Sequence, residues 1–154
     1  MIDPIQLLKY VIRPTLRDLG VWSVNAEQLV LGTACQESAC GEYLVQLGNG
    51  PALGIYQMEP ATHADIWRNY LPGRALATKV SDLAIHAGLD ADEMIGNLYY
   101  ATAMCRVHYL RVPSAIPSGL RKQAEYWKRH YNTELGAGTV DEYIQSWERF
   151  VGTN

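Results

Sequence analysis

Glu37 is the residue whose neighbours in the chain best suit a proton donor. On a helix it falls on the face that carries Ala26, Val30, Thr33 and Ala34, so an ionisable acid closes an apolar stripe. Desolvation there disfavours the carboxylate, raises its pKa and leaves a protonated acid near neutral pH, as protonating the leaving oxygen of a glycosidic bond requires. The alternative is that a chain turn after Ser38 lets Glu37 reach water or pair with an arginine. A second carboxylate, Glu59, follows in the segment Gly54-Ile55-Tyr56-Gln57-Met58-Glu59-Pro60-Ala61-Thr62. It would activate water if the two carboxyl groups stood ~6.5–9.5 Å apart; otherwise it is an acid at a helix N-terminus, stabilised by the dipole before Ala61. Glu42 and Asp65 are further candidates for the same role. Ser38 has no His/Asp partner in a nucleophilic arrangement and reads as a tie between helix and loop. His63, His86, His108 and His130 show no HxxE or HExxH spacing, so neither a metal nor a cofactor is expected. Cys35, Cys40 and Cys105 are an odd count without CxxC spacing and read as small core residues of a reducing compartment.

These side chains need a scaffold, and the apolar periodicity is helical almost throughout. Asp3 and Pro4 form an N-cap and first-turn pair, and Ile5, Leu8, Val11, Ile12, Leu16 and Leu19 recur at helical spacing up to Gly20, with a kink or break expected near Pro14. Asn25 with Gln28 resembles a capping box opening a second helix that ends at about Ser38. Gly48, Asn49, Gly50 and Pro51 predict a loop or small irregular hairpin around residues 43–58, where any β-structure belongs. Pro60 to Tyr70 reads as a short helix, with a further helical stretch near residues 75–85. Asp90 with Glu93 predicts the start of a long helix to about Arg111. Ser118 caps a helix bearing Leu120, Ala124, Trp127 and Tyr131, and Thr139 with Glu142 is a capping box for the last helix. Trp127 and Trp147 lie on apolar stripes and read as core. The expected architecture is mostly α, a single domain over residues 1–154.

Glu37-Ser38 near the end of a buried helix, then a turn-rich loop, then Gly54 to Thr62, resembles the lytic transglycosylases of the goose-lysozyme-like superfamily. Their pattern is Glu-Ser followed by Gly-Leu-x-Gln-x-x-Pro-x-Thr, and Ile55 stands here in place of leucine. The family's later Ala-x-x-Tyr-Asn-Ala-Gly element is echoed in part by Tyr131-Asn132-Thr133, and its long tyrosine-bearing helix by Asn97, Tyr99 and Tyr100. The resemblance covers about Leu29 to Asn132 and implies a lysozyme-like helical domain that cleaves the β-1,4 bond between N-acetylmuramic acid and N-acetylglucosamine in peptidoglycan. By that resemblance Glu37 protonates the linking oxygen, then acts as base on the muramyl C6 hydroxyl, closing a 1,6-anhydro ring without water. Gln57 would hydrogen-bond substrate or the acid, Tyr56 would line the floor of the subsites, and Tyr131 would hold Glu37 in position. Ser38, Asn132 and Glu59 would complete the binding site. Each keeps a plainer alternative: Gln57 satisfying loop backbone groups, and Tyr56 and Tyr131 packing in core or rim. Glu59 departs from the apolar residue common at its position and leaves open a hydrolytic lysozyme on the same scaffold. A non-catalytic wall-binding or virion structural protein is the alternative from another class, against which the joint presence of Glu37 and Gln57 argues.

Bulk properties narrow the partners. A chain of 154 residues, 48% hydrophobic and 19% charged, can bury a core without disulfides or metal. Its net charge of −3 disfavours a phosphate-backbone partner, so no nucleic acid is expected. The N-terminus has an acid at Asp3 and no basic stretch before an apolar run, unlike a Sec signal, and no segment reaches the ~18–20 apolar residues of a membrane span. The expectation is synthesis in a host cytoplasm and action on the bacterial wall without stable membrane insertion. The implied route is that of a bacteriophage protein, released as a lysin or carried with other virion proteins.

Overall fold

Asp3 accepts the Gln6 N–H at 2.9 Å and Pro4 follows it, so the first helix, α1, begins where the cap and proline expect it. In the computed structural model, which describes residues 1–86 and 88–152, α1 runs through Pro4–Leu7, a wide π-type turn Leu8–Ile12, and Arg13–Asp18. Pro14 has no N–H to return to the preceding turn. The helix meets this with a wide turn, in which the Arg13 N–H reaches Leu8 O, and continues unbroken.

Helix α2, Val24–Ser38, is capped by Ser23, whose hydroxyl accepts from Ala26 N at 3.0 Å. The cap therefore lies two residues before Asn25, which sends its amide to Ile116 O instead. Most of α2 is buried around its whole circumference, making it the central helix. Beyond it the chain turns through Ala39, Cys40 and Gly41, all at positive φ, into a loop that pairs only at isolated antiparallel bridges, Val45 with Leu53 and Leu53 with Met58. That is the small irregular pairing expected between residues 43 and 58, and the described residues contain no sheet.

Helix α3, Pro60–Asp65, continues as a π-type turn Ile66–Tyr70, and α4 is Ala75–Ser81. The single long helix expected from Asp90 to Arg111 is two, α5 (Glu93–Gly96) and α6 (Leu98–Leu110). Asn97 leaves helical geometry and caps α6 by accepting Tyr100 N at 3.0 Å. The Asp90–Glu93 capping box does not form, because the Glu93 carboxylate accepts Ile85 N, His86 N and the Asn97 amide. Helix α7, Leu120–Trp127, starts at Gly119 (φ 92) rather than at Ser118 and continues as a π-type turn Lys128–Asn132. Helix α8, Val140–Phe150, opens with the reciprocal Thr139–Glu142 capping box that the spacing predicts.

The core gathers on α2, against which α1, α6, α7 and α8 pack. At Gly32 a Cβ would lie 1.9 Å from the Tyr143 hydroxyl, so only glycine admits α8 this close. No helix among the described residues is long and apolar enough to cross a membrane.

Candidate active site

Glu37 sits in the last turn of α2, half-buried, with its Oε1 accepting the Trp127 indole N–H at 2.9 Å. Burial raises its pKa to about 7, against which the Trp127 hydrogen bond acts; no cation and no second carboxylate is among the causes. Glu27, on the same helix, is the counterexample. Arg13 grips both its oxygens at 2.7 Å and Trp22 donates at 2.6 Å, and these bonds hold its carboxyl below the usual range. The arginine pairing open to Glu37 from the sequence is thus what Glu27 has and Glu37 lacks. Because an indole can only donate, Oε1 must remain an acceptor, and a protonated Glu37 keeps its proton on Oε2.

Trp127 is itself immobilised. Its ring lies 5.3 Å from that of Tyr143, and a Cβ on Gly138 would come within 2.7 Å of it. The residue reads as core from its stripe and is fully buried, yet its one polar atom serves the acid. Tyr43 adds a second tie, donating its hydroxyl to Glu37 O at 2.8 Å.

The acid opens on a cleft of about 630 Å³, lined by residues of the 43–59 loop, by Thr62 and His108, and by Tyr131, Asn132 and the 136–138 segment. Gln57 lines it from a left-handed backbone position (φ 46), and its amide donates to Gly54 O at 2.8 Å. It therefore performs the loop-satisfying role while facing the same space as Glu37. Gly54 (φ 74) supports this turn, since a Cβ there would lie 2.3 Å from Met94 O. Asn132 lines the cleft with its Oδ1 held by Lys128 Nζ at 2.7 Å. Glu59 is exposed at the cleft edge, at the N-cap position of α3.

Three placements differ from those the resemblance implies. Tyr56 does not line the subsites: it is 1% exposed and its hydroxyl bonds Thr102 at 2.9 Å, because the turn that points Gln57 outward sends its neighbour into the core. Ser38 is buried and does not reach the cleft; its hydroxyl donates to Ile55 O at 2.6 Å and accepts Gly41 N at 2.9 Å, binding helix to loop. Tyr131 lines the cleft but donates to Tyr56 O at 2.8 Å, so it braces the loop rather than Glu37. Of the other candidates, Asp65 pairs with Arg111 and Glu42 is exposed outside the cleft. Tyr100 is buried against His63 and Trp67, and Tyr99 bonds Tyr10 O away from the cleft.

The sequence, in which His108 lacks metal-binding spacing, gives no signal for a place at the site. His108 lines the cleft edge-on to Tyr131, with ring centroids 4.7 Å apart, and burial beside Arg111 drives its pKa down to about 4, leaving it neutral. Among the described residues no cluster of His, Cys, Asp or Glu could hold a metal ion. Comparison of the chain with protein-family models, with curated proteins and with solved structures returns no match.

Proposed function

We propose that the protein is a peptidoglycan lytic transglycosylase of lysozyme-like fold, with Glu37 as general acid and base. The observation that carries the reading is a half-buried carboxyl with no cation paired to it among the described residues, its pKa raised to about 7 by desolvation, opening on a cleft it shares with Gln57. One carboxyl poised there can serve both steps. Its Oε2 proton goes to the glycosidic oxygen as the muramyl C1–O bond breaks. The resulting carboxylate then takes the proton of the C6 hydroxyl as that oxygen closes on C1. The proton count returns to its start, the product is a 1,6-anhydromuramyl end, and no water is consumed.

Glu59, exposed on the same cleft, supports a second reading, hydrolysis by a lysozyme-type enzyme in which it activates water. In either reading the partner is the glycan strand of the wall. Digestion of purified peptidoglycan by the wild type and by Glu37→Gln, with mass spectrometry of the muropeptides, tests this. Products one water lighter than reducing muropeptides, absent with Glu37→Gln, support the transglycosylase. Reducing ends move the assignment to hydrolysis and Glu59, and no release from several wall types leaves a non-catalytic wall-binding or virion structural protein.

A further inference from the structure

The chemistry-bearing turn at the end of α2 reads Cys35-Gln36-Glu37-Ser38-Ala39-Cys40, with a thiol at each end. Residues five apart on a continuing helix point roughly 140° away from each other. Here the chain does not continue: Ala39 (φ 49) and Cys40 (φ 55) take left-handed geometry and fold the strand back over the helix end. Cys40 N then reaches Ala34 O at 3.0 Å, Gly41 N reaches the Ser38 hydroxyl at 2.9 Å, and Ile2 N holds Cys40 O at 2.8 Å. The two sulfurs end 3.0 Å apart, both buried, while Cys105 lies separately on α6. A core that only needed small apolar residues has no reason to bring two thiols into contact across a strained turn. The two thiols share a hydrogen bond in which either sulfur can donate; that bond and burial push the Cys35 thiol up, and the same bond holds the Cys40 thiol down.

We propose that Cys35 and Cys40 are a redox site, a thiol pair that a small-molecule disulfide oxidises to an intramolecular disulfide closing the turn that carries Glu37. With oxidised glutathione as the disulfide, the Cys40 thiolate attacks one glutathione sulfur, the glutathione S–S bond breaks, and one glutathione leaves as thiolate. Cys35 gives up its proton and attacks Cys40 Sγ, expelling the second glutathione. The two protons lost by the protein thiols balance the two glutathione thiolates, so two protein thiols are oxidised and one glutathione disulfide is reduced to two thiols. The cross-link holds Ala39 and Cys40 in backbone conformations that non-glycine residues resist. It therefore keeps the end of α2 docked on the loop once the chain leaves a reducing compartment. The inference concerns these thiols alone and stands whatever reaction Glu37 performs.

The test is oxidation of the purified protein with glutathione disulfide, both folded and during refolding from denaturant so that burial cannot hide the thiols. Denaturing alkylation, mass spectrometry and thermal melting follow. The expected result is loss of two alkylatable thiols with Cys105 still free, no retained glutathione, and a melting temperature higher by about 5 °C than that of the reduced protein. Cys35→Ser should trap glutathione on Cys40. Three thiols still alkylatable after both treatments, a disulfide that includes Cys105, or an oxidised form that melts no higher than the reduced one would each overturn the proposal.

Discussion

Glu27 and Glu37 occupy the same helix, and the arginine beside one and the desolvation of the other decide their charge. With a guanidinium in contact, Glu27 stays ionised; with only an indole N–H, Glu37 holds its proton to about pH 7. If Glu37 is the acid, cleavage should fall as pH rises through 7, and Glu37→Gln should lower the rate by about 10²–10⁴-fold, read from muropeptide release. Trp127→Phe keeps an aromatic ring, smaller than the indole, but removes the N–H whose bond opposes the upward shift. The Glu37 titration should then move to higher pH, a change that carboxyl NMR would register whether or not the protein is an enzyme. An unchanged titration midpoint would show that the indole bond does not tune the acid. The apolar face behind Glu37 was legible from helical spacing. Trp127 was legible only as a core residue, because its partner lies ninety positions away in the chain.

At the scale of elements, the joints matter more than the helices. The Glu93 carboxylate ties α5, Asn97 and the 83–86 segment together, and these hydrogen bonds depress its pKa to about 2 from an ordinary 4.5. The stabilisation is complete above about pH 4.5 and is lost as pH falls toward 2, so melting of the wild type and of Glu93→Gln should differ at pH 6 and converge near pH 2. A persistent difference at pH 2 would mean that packing, not ionisation, holds the joint. Gly32 sets another joint: Gly32→Ala should cost about 1–3 kcal/mol in denaturant unfolding, because a methyl there drives into Tyr143 and pushes α8 off α2. Spacing revealed the capping box at Thr139 but misjudged the caps at Asn25 and Ser118, since several cap-competent residues stand near each start and packing chooses among them.

For the whole molecule, the raised acid sets function against stability. A carboxyl whose folded pKa lies above its unfolded value makes the unfolded state the better acid, so stability declines from about pH 4.5 to 7 as the unfolded chain ionises. Glu37→Gln should therefore unfold at higher denaturant than the wild type at pH 8, by up to about 3 kcal/mol, and lose that advantage at pH 4. An equal advantage at both pH values would place the gain in packing rather than in charge. The sequence by itself determined the helical class, the loop at residues 43–58, the burial behind Glu37 and the glutamine placed after the loop, because apolar period, turn residues and local caps act over a few positions. Only the tertiary structure decided that Tyr56 turns inward while Gln57 faces the cleft, that Trp127 supplies the acid's hydrogen bond, that Glu37 has no cation, and that Cys35 meets Cys40. Those outcomes depend on which surfaces meet when α2, α7, α8 and the loop close on one another, and no local pattern encodes that choice.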